Sequence, residues 1–201
     1  MGIAERKIRQ REEFRASILE AAWQQVLSDG WQSLSIRKIA DAIEYSIPVI
    51  YNHFENKEAI LLEFTKEGFQ KLADTLQEVK DQHTVPAKQL EAMAYAYWDF
   101  AFDHNEYYQL MFGLGIPACD RVKQVTEMIT ATGIMISTIK EAIAQSNHPE
   151  TDYFLKYHTY LSILHGLVSI QMIEKEGRPD PSKKMILQDA ISGFIISITS
   201  K

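Results

Sequence analysis

The chain has 201 residues, 46% of them hydrophobic and 24% charged, with a formal net charge of −6 and a single cysteine. That composition can bury a substantial core in one or two domains and excludes a disordered chain, while one cysteine excludes an internal disulfide. No apolar run approaches the roughly eighteen residues of a membrane span and the N-terminus carries no apolar signal core, so a cytoplasmic location is expected.

Few residues are glycine or proline, and apolar residues recur every three or four positions along most of the length. An all-α fold of about nine helices is the reading. The first helix starts between Ala4 and Glu12 and runs to Ser28, with Phe14, Ile18, Ala22 and Val26 repeating every four residues before Asp29-Gly30 stops it. Trp31 is expected to close the small core. Arg6, Lys7, Arg9, Arg11 and Arg15 gather in the first fifteen residues against Glu5, Glu12 and Glu13. What governs phosphate contact is such a local patch and not the whole-chain charge.

Ser35 precedes a short helix with Ile36, Ile39, Ala40 and Ile43 on one face, and its hydroxyl is placed to cap that helix. After residues 42–45, Ser46 can cap a second short helix whose Pro48 sits in the first turn, where its missing N–H costs no bond. Ile50 and Phe54 then face inward. Ile47, Pro48, Val49, Tyr51, Asn52 and His53 are left on the other faces, a mixture of methyl groups and hydrogen-bonding groups suited to base edges and phosphates. Arg37, Lys38 and Lys57 flank this element, and Asn56 is a good N-cap for a long fourth helix running to about Val79.

The run from about Phe14 to Leu62 resembles the N-terminal domain of TetR-type transcriptional repressors. The likeness rests on the Gly30 stop, Leu34-Ser35, Ile39-Ala40, Ser46, Ile50-Tyr51-x-x-Phe54 and Asn56-Lys57-Glu58. It implies a DNA-binding helix-turn-helix domain over residues 1–60 and a helical effector-binding and dimerisation domain over residues 61–201. It also implies that Arg37 reaches DNA from the second helix and that Pro48, Val49, Tyr51, Asn52 and His53 do so from the third. Lys38, Ser46 and Lys57 complete the expected DNA-binding set. One departure stands out: the family usually has glycine in the inter-helix turn where this chain has Glu44, and glycine supplies a positive φ cheaply.

Residues 87–102 form a helix rich in rings, including Tyr95, Tyr97, Trp98 and Phe102, followed by a short helix to Phe112 with Tyr108 and Met111. With Met128, Met135, Tyr157 and His165 these could line an apolar ligand pocket; for any one ring, core packing is the commoner role. A helix over residues 121–145 and another over about 150–176 follow. The last covers 182–200. The final two are apolar around more than one stripe, which suggests a four-helix bundle between two subunits through Leu164, Leu167, Ile191, Phe194, Ile195 and Ile198. Leu164-His165-Gly166 resembles a Trp-His-Gly signature of one TetR-like branch, with leucine in place of tryptophan.

His158 and His165 lie two turns apart, too far to share a metal ion unaided, and no metal site or cofactor is expected. No phosphate-cradling loop, nucleophile elbow or carboxylate pair is present, so no catalytic residue is assigned and an enzyme is not expected. The reading is a dimeric transcriptional regulator, a repressor on a near-palindromic DNA operator, released by a small apolar or aromatic effector. The alternative is a helical ligand-binding or protein-interaction module with weakened DNA binding, for which Glu44 and the acidic total charge speak.

Overall fold

The computed structural model describes residues 2–113, 125–173 and 182–199. Among them are nine α-helices and no strand: α1 Ile3–Asp29, α2 Ile36–Ala42, α3 Ile47–Tyr51, α4 Lys57–Asp81, α5 Pro86–Asp103, α6 Asn105–Phe112, α7 Thr126–Ala144, α8 Tyr153–Ile173 and α9 Lys183–Thr199, with one 3-10 turn at Trp31–Ser33. The expected start of the seventh helix at residue 121, like the one cysteine, Cys119, lies outside the described residues.

Contacts divide the chain into two compact units, Met1–Thr65 with Glu106–Val122, and Lys66–Asn105 with Lys123–Lys201. Helix α4 therefore contributes its start to one unit and its remainder to the other. The first unit also includes α6.

In the first unit, Ile18, Ala22 and Val26 of α1 are buried with Ile39 and Ala40 of α2, Ile50 and Phe54 of the α3 region, and Ile60 and Phe64 of α4. Gly30 ends α1 with a φ of 76° and its N–H bonded back to the Val26 carbonyl at 2.7 Å, a conformation glycine adopts without steric cost. Trp31 is buried as expected. Its indole meets Trp23 and Phe64, and Trp23 stacks on Tyr107 of α6 with ring centroids 4.5 Å apart. The short helix α6 is thus held by a ring cluster, and Tyr107, Tyr108, Leu110 and Met111 are all buried.

The second unit is built on α5, which packs against α7, α8 and α9. Leu90, Met93, Ala94, Tyr97 and Trp98 of α5 are buried, and the Tyr160 hydroxyl of α8 donates to the Leu90 carbonyl at 2.6 Å. Burial pushes the Tyr160 phenol far above its ordinary pKa, so the group stays a neutral donor. Gln89 donates to the Lys80 and His83 carbonyls and so fixes the α4–α5 turn. Helix α8 begins at Tyr153, later than expected, because Asp152 accepts the N–H groups of Phe154 and Leu155 and acts as its cap.

Candidate functional site

The helix-turn-helix is built by α2, the turn at residues 43–46, and α3. Two expected side-chain caps do not form. The Ser35 hydroxyl makes no cap bond; instead its N–H donates to Gln25 Oε1 at 3.1 Å, and Gln25 Nε2 donates to the Ser33 carbonyl at 2.9 Å, so one amide from α1 fixes the entry to α2. Ser46 makes no side-chain cap either, and only its carbonyl accepts, from Val49 N–H at 3.0 Å. Asn56 does cap α4, its Oδ1 accepting the Ala59 N–H at 2.8 Å.

The turn itself resolves the departure at Glu44. Tyr45 N–H bonds to the Ala40 carbonyl at 2.9 Å and Glu44 N–H to the Asp41 carbonyl at 3.3 Å, the paired bonds of a Schellman end to α2. Glu44 occupies its left-handed position with φ 60°, the one non-glycine residue with positive φ among the described residues. The helix-turn-helix geometry is kept, with backbone strain at this position.

Ile50 and Phe54 point inward at 0% and 2% exposure, as their spacing predicts. Opposite them, Ser46, Ile47, Pro48, Tyr51 and Asn52 are exposed and Val49 is half-buried. Arg37 and Lys38 are exposed on α2, Lys38 pairing with Asp29 at 3.2 Å, and Lys57 is half-buried. His53 differs from its neighbours. Its ring leans on Phe14 at 4.9 Å between centroids, its Nδ1 is buried without a partner, and burial together with Arg11 and Arg15 lowers its pKa.

Arg15, grouped by sequence with the phosphate contacts, has a structural position. Its guanidinium lies 4.0 Å over the Phe54 ring, donates to the His53 carbonyl at 2.9 Å and pairs with Glu63 at 3.1 Å. One side chain of α1 thereby secures both the end of α3 and the start of α4. Sequence reasoning missed this, because a backbone carbonyl leaves no residue signature.

The residues expected to line a pocket fall into both units. Tyr108, Met111 and Phe112 lie on α6 in the first; Tyr108 and Met111 are buried, and the Tyr108 and Phe112 rings are 4.7 Å apart. In the second unit Trp98, Met135 and Tyr157 are buried, whereas Tyr95, Phe102, Met128 and His165 are half-buried. Trp98 and Phe102 meet at 5.1 Å, and the Tyr157 hydroxyl reaches Thr132 Oγ1 at 3.3 Å. His165 lies 3.4 Å from the Ser169 hydroxyl with its pKa lowered by burial.

The sequence profile of bacterial regulatory proteins of the tetR family matches residues 18–64, and that of the tetracyclin repressor-like C-terminal domain matches residues 90–191. The chain belongs to the TetR family. It is a transcriptional regulator with a DNA-binding helix-turn-helix. Among its relatives is the HTH-type transcriptional activator FasR of Mycolicibacterium smegmatis, 26% identical over 81% of this chain and 70% of that one. Among solved structures, a protein of unknown function from Rhodococcus sp. RHA1 matches with a TM-score of 0.75 and 22% identity, covering 92% of this chain and 95% of that one. FadR from Bacillus subtilis in complex with stearoyl-CoA matches with a TM-score of 0.68 and 17% identity, covering 89% and 98%. The three-residue likeness at Leu164-His165-Gly166 adds no branch to this assignment.

In this TetR-family chain, α8 and α9 pack their inner stripes within the chain. Leu164, Ile191, Phe194 and Ile198, expected at a subunit interface, are at most 5% exposed and occupied by the chain's own core; Leu167 and Ile195 are half-buried. The apolar residues left outward are others: Leu155, Ile170 and Ile173 on α8, and Met185, Ile186 and Ile196 on α9, each more than half exposed. Sequence could not separate the two sets, since both helices are apolar all round. No helix among the described residues is long and apolar enough to cross a membrane.

Proposed function

We propose that the chain is a homodimeric repressor that binds a near-palindromic operator through residues 1–60 and is released by a small apolar or aromatic effector bound within residues 61–201. The observation that carries it is the exposed face of α3, with Tyr51 48% and Ile47 38% exposed while Ile50 and Phe54 anchor the opposite side. Methyl groups of Ile47 and Val49 suit thymine, Asn52 suits the N6/N7 edge of adenine, and Tyr51 suits a phosphate. The two α3 helices of a dimer would then lie about 34–36 Å apart to enter successive major grooves.

The half-buried Tyr95, Phe102, Met128 and His165 and the buried Trp98 and Tyr157, all in the second unit, favour an apolar effector with one or two polar contacts. Because the FadR neighbour is described in complex with stearoyl-CoA, long-chain acyl thioesters are the first probes. Effector and DNA would each weaken binding of the other by the same factor. Selection from randomised duplexes should yield a salt-sensitive preferred site whose retention falls on Tyr51→Ala. No selective binding at any salt would refute the reading. The activator description of the FasR relative favours a second reading, in which the same binding raises transcription. A reporter fused to the selected site separates the two, since deleting the regulator raises expression in the first case and lowers it in the second.

A further inference from the structure

Helix α1 begins well before its first buried residue. Residues 2–13 are all exposed, Ile3 at 76% and Ile8 at 59%, and the first buried residue is Ile18, which is also where the family's DNA-binding profile begins. Roughly three turns of helix therefore stand free of the core at about 1.5 Å per residue.

These turns have two distinct faces. The stripe that runs through the core as Ala22, Ile18 and Phe14 continues outward at helical spacing as Arg11, Lys7 and Ile3, with Ala4 and Ile8 beside it. It contains no carboxylate. Glu5, Glu12 and Glu13 share the other side with Arg6 and Arg9; Arg9 pairs with Glu13 at 3.6 Å and Glu5 accepts the Gly2 N–H at 2.9 Å. Lys7 and Arg11 have no ion-pair partner among the described residues.

The free stripe emerges beside the recognition helix. Phe14 touches Tyr45 at 4.6 Å and His53 at 4.9 Å, residues that bracket α3 in sequence, and Arg15 holds the His53 carbonyl. Arg11 is near enough to α3's end to lower the pKa of His53. A cationic, carboxylate-free face continuing from the groove-reading helix is complementary to a sugar–phosphate backbone.

We propose that Lys7 and Arg11, flanked by Ile3, Ala4 and Ile8, form a second DNA contact that grips the backbone next to the segment read by α3. This rests on the DNA-binding reading of α3 and extends the site beyond the domain common to the family. Eight steps from Ile3 to Arg11 span about 12 Å, enough to follow successive phosphates of one strand.

The test is a salt titration of binding to the duplex selected by the wild-type chain, with hydroxyl-radical footprinting. Lys7→Ala/Arg11→Ala should weaken binding at moderate salt, flatten the log–log salt slope of the dimer by about 3.6 (two contacts in each of two subunits at roughly 0.9 per phosphate), and remove protection on one outer flank of each half-site. Lys7→Ala alone, at an exposed position, should flatten it by about 1.8, one contact in each subunit, with folding intact. Arg6→Ala/Arg9→Ala should move the slope by less than half as much as the first pair. Equal losses from the two pairs, an unchanged footprint, or an effect of Lys7 and Arg11 confined to binding anionic lipid vesicles would overturn the proposal. Loss of binding in Tyr51→Ala with none in Lys7→Ala/Arg11→Ala would overturn it alone, whereas a wild-type chain that selects no DNA would remove the regulator reading.

Discussion

The indole N–H of Trp31 donates to the backbone carbonyl of Glu106 at 2.7 Å, joining the turn that closes α1 to the first turn of α6, seventy-five positions along the chain. The bond is reinforced by the stacking of Trp23 on Tyr107. Trp31→Phe keeps a ring in the buried cluster and removes only the donor. A loss of about 1–2 kcal/mol is expected in urea unfolding followed by tryptophan fluorescence. An unchanged midpoint would mean that the ring contacts alone seat α6.

Arg15 is a second brace within the first unit. Arg15→Ala removes the guanidinium from Phe54, the donor from the His53 carbonyl and the partner from Glu63. The ion pair is partly exposed and contributes little, so the ring contact and the carbonyl bond together should set a cost of about 1–2 kcal/mol. Arg15→Lys should recover only part, because an ammonium cannot donate in two directions while lying flat on a ring. DNA affinity should fall further than stability predicts, since the end of α3 is left unsecured; parallel measurement of unfolding and binding checks this.

Periodicity carried much of this fold in advance. Ile18, Ala22 and Val26, the pair Ile39-Ala40, and Ile50 with Phe54 are buried as their spacing requires. The exposed face of α3 follows from the same count. What periodicity did not carry was every contact whose partner is a backbone group far along the chain. Trp31 with Glu106 and Arg15 with His53 are of this kind, and they decide that α6 belongs to the first unit and that Arg15 is a brace. Capping was legible at Asn56 and not at Ser35, whose hydroxyl makes no cap bond and whose N–H donates to Gln25. On α8 and α9, apolar residues around the whole circumference concealed which stripe turns inward. Leu164 and Ile196 look alike in sequence and lie on opposite faces.

Acid should destabilise the chain through its shielded histidines. Burial, with Arg11 and Arg15 nearby, lowers the His53 pKa, and burial lowers that of His165. Protonating His53 Nδ1 would also bury an N–H without an acceptor. For a base depressed in the folded state, the unfolded chain binds more protons below about pH 6.5, so this stability is fully present above that pH and is lost as pH falls toward the folded-state values. Thermal unfolding at pH 7.5 and 5.5 should show the drop, and His53→Gln with His165→Gln should reduce it.

The outward stripe of α8 and α9 is where a second copy is expected to dock. Gly166 lies opposite the buried stripe Tyr157, Tyr160, Leu164 and Val168, and a Cβ added there or at Gly193 would meet nothing within 4 Å in the chain itself. Mid-helix glycine costs about 1 kcal/mol relative to alanine, which close approach by a partner helix would offset. Gly166→Leu and Ile196→Glu should therefore leave the chain folded but shift it to monomer in sedimentation and weaken operator binding. Leu164→Ala should instead destabilise the fold by about 2–5 kcal/mol. Dimers unaffected by both surface substitutions would place the interface elsewhere.

Glu44 carries a strain that a single substitution can release. Its φ of 60° puts the Cβ close to a carbonyl oxygen, and a non-glycine residue in this region costs about 1–2 kcal/mol. Glu44→Gly removes that term but gives the unfolded chain more freedom, an opposing effect of about 0.5–1 kcal/mol. It also removes a carboxylate from the C-terminal end of α2, where the helix dipole disfavours negative charge. A net gain of about 0.5–1 kcal/mol in urea unfolding is expected. The bonds from Tyr45 to Ala40 and from Glu44 to Asp41 involve backbone atoms only, so the turn and the setting of α3 should survive the change. Glu44→Ala separates the two causes. It removes the charge and retains the Cβ, so it should reproduce only the electrostatic part of the gain; an equal gain from both variants would mean that charge, and not backbone strain, limits the stability of this turn.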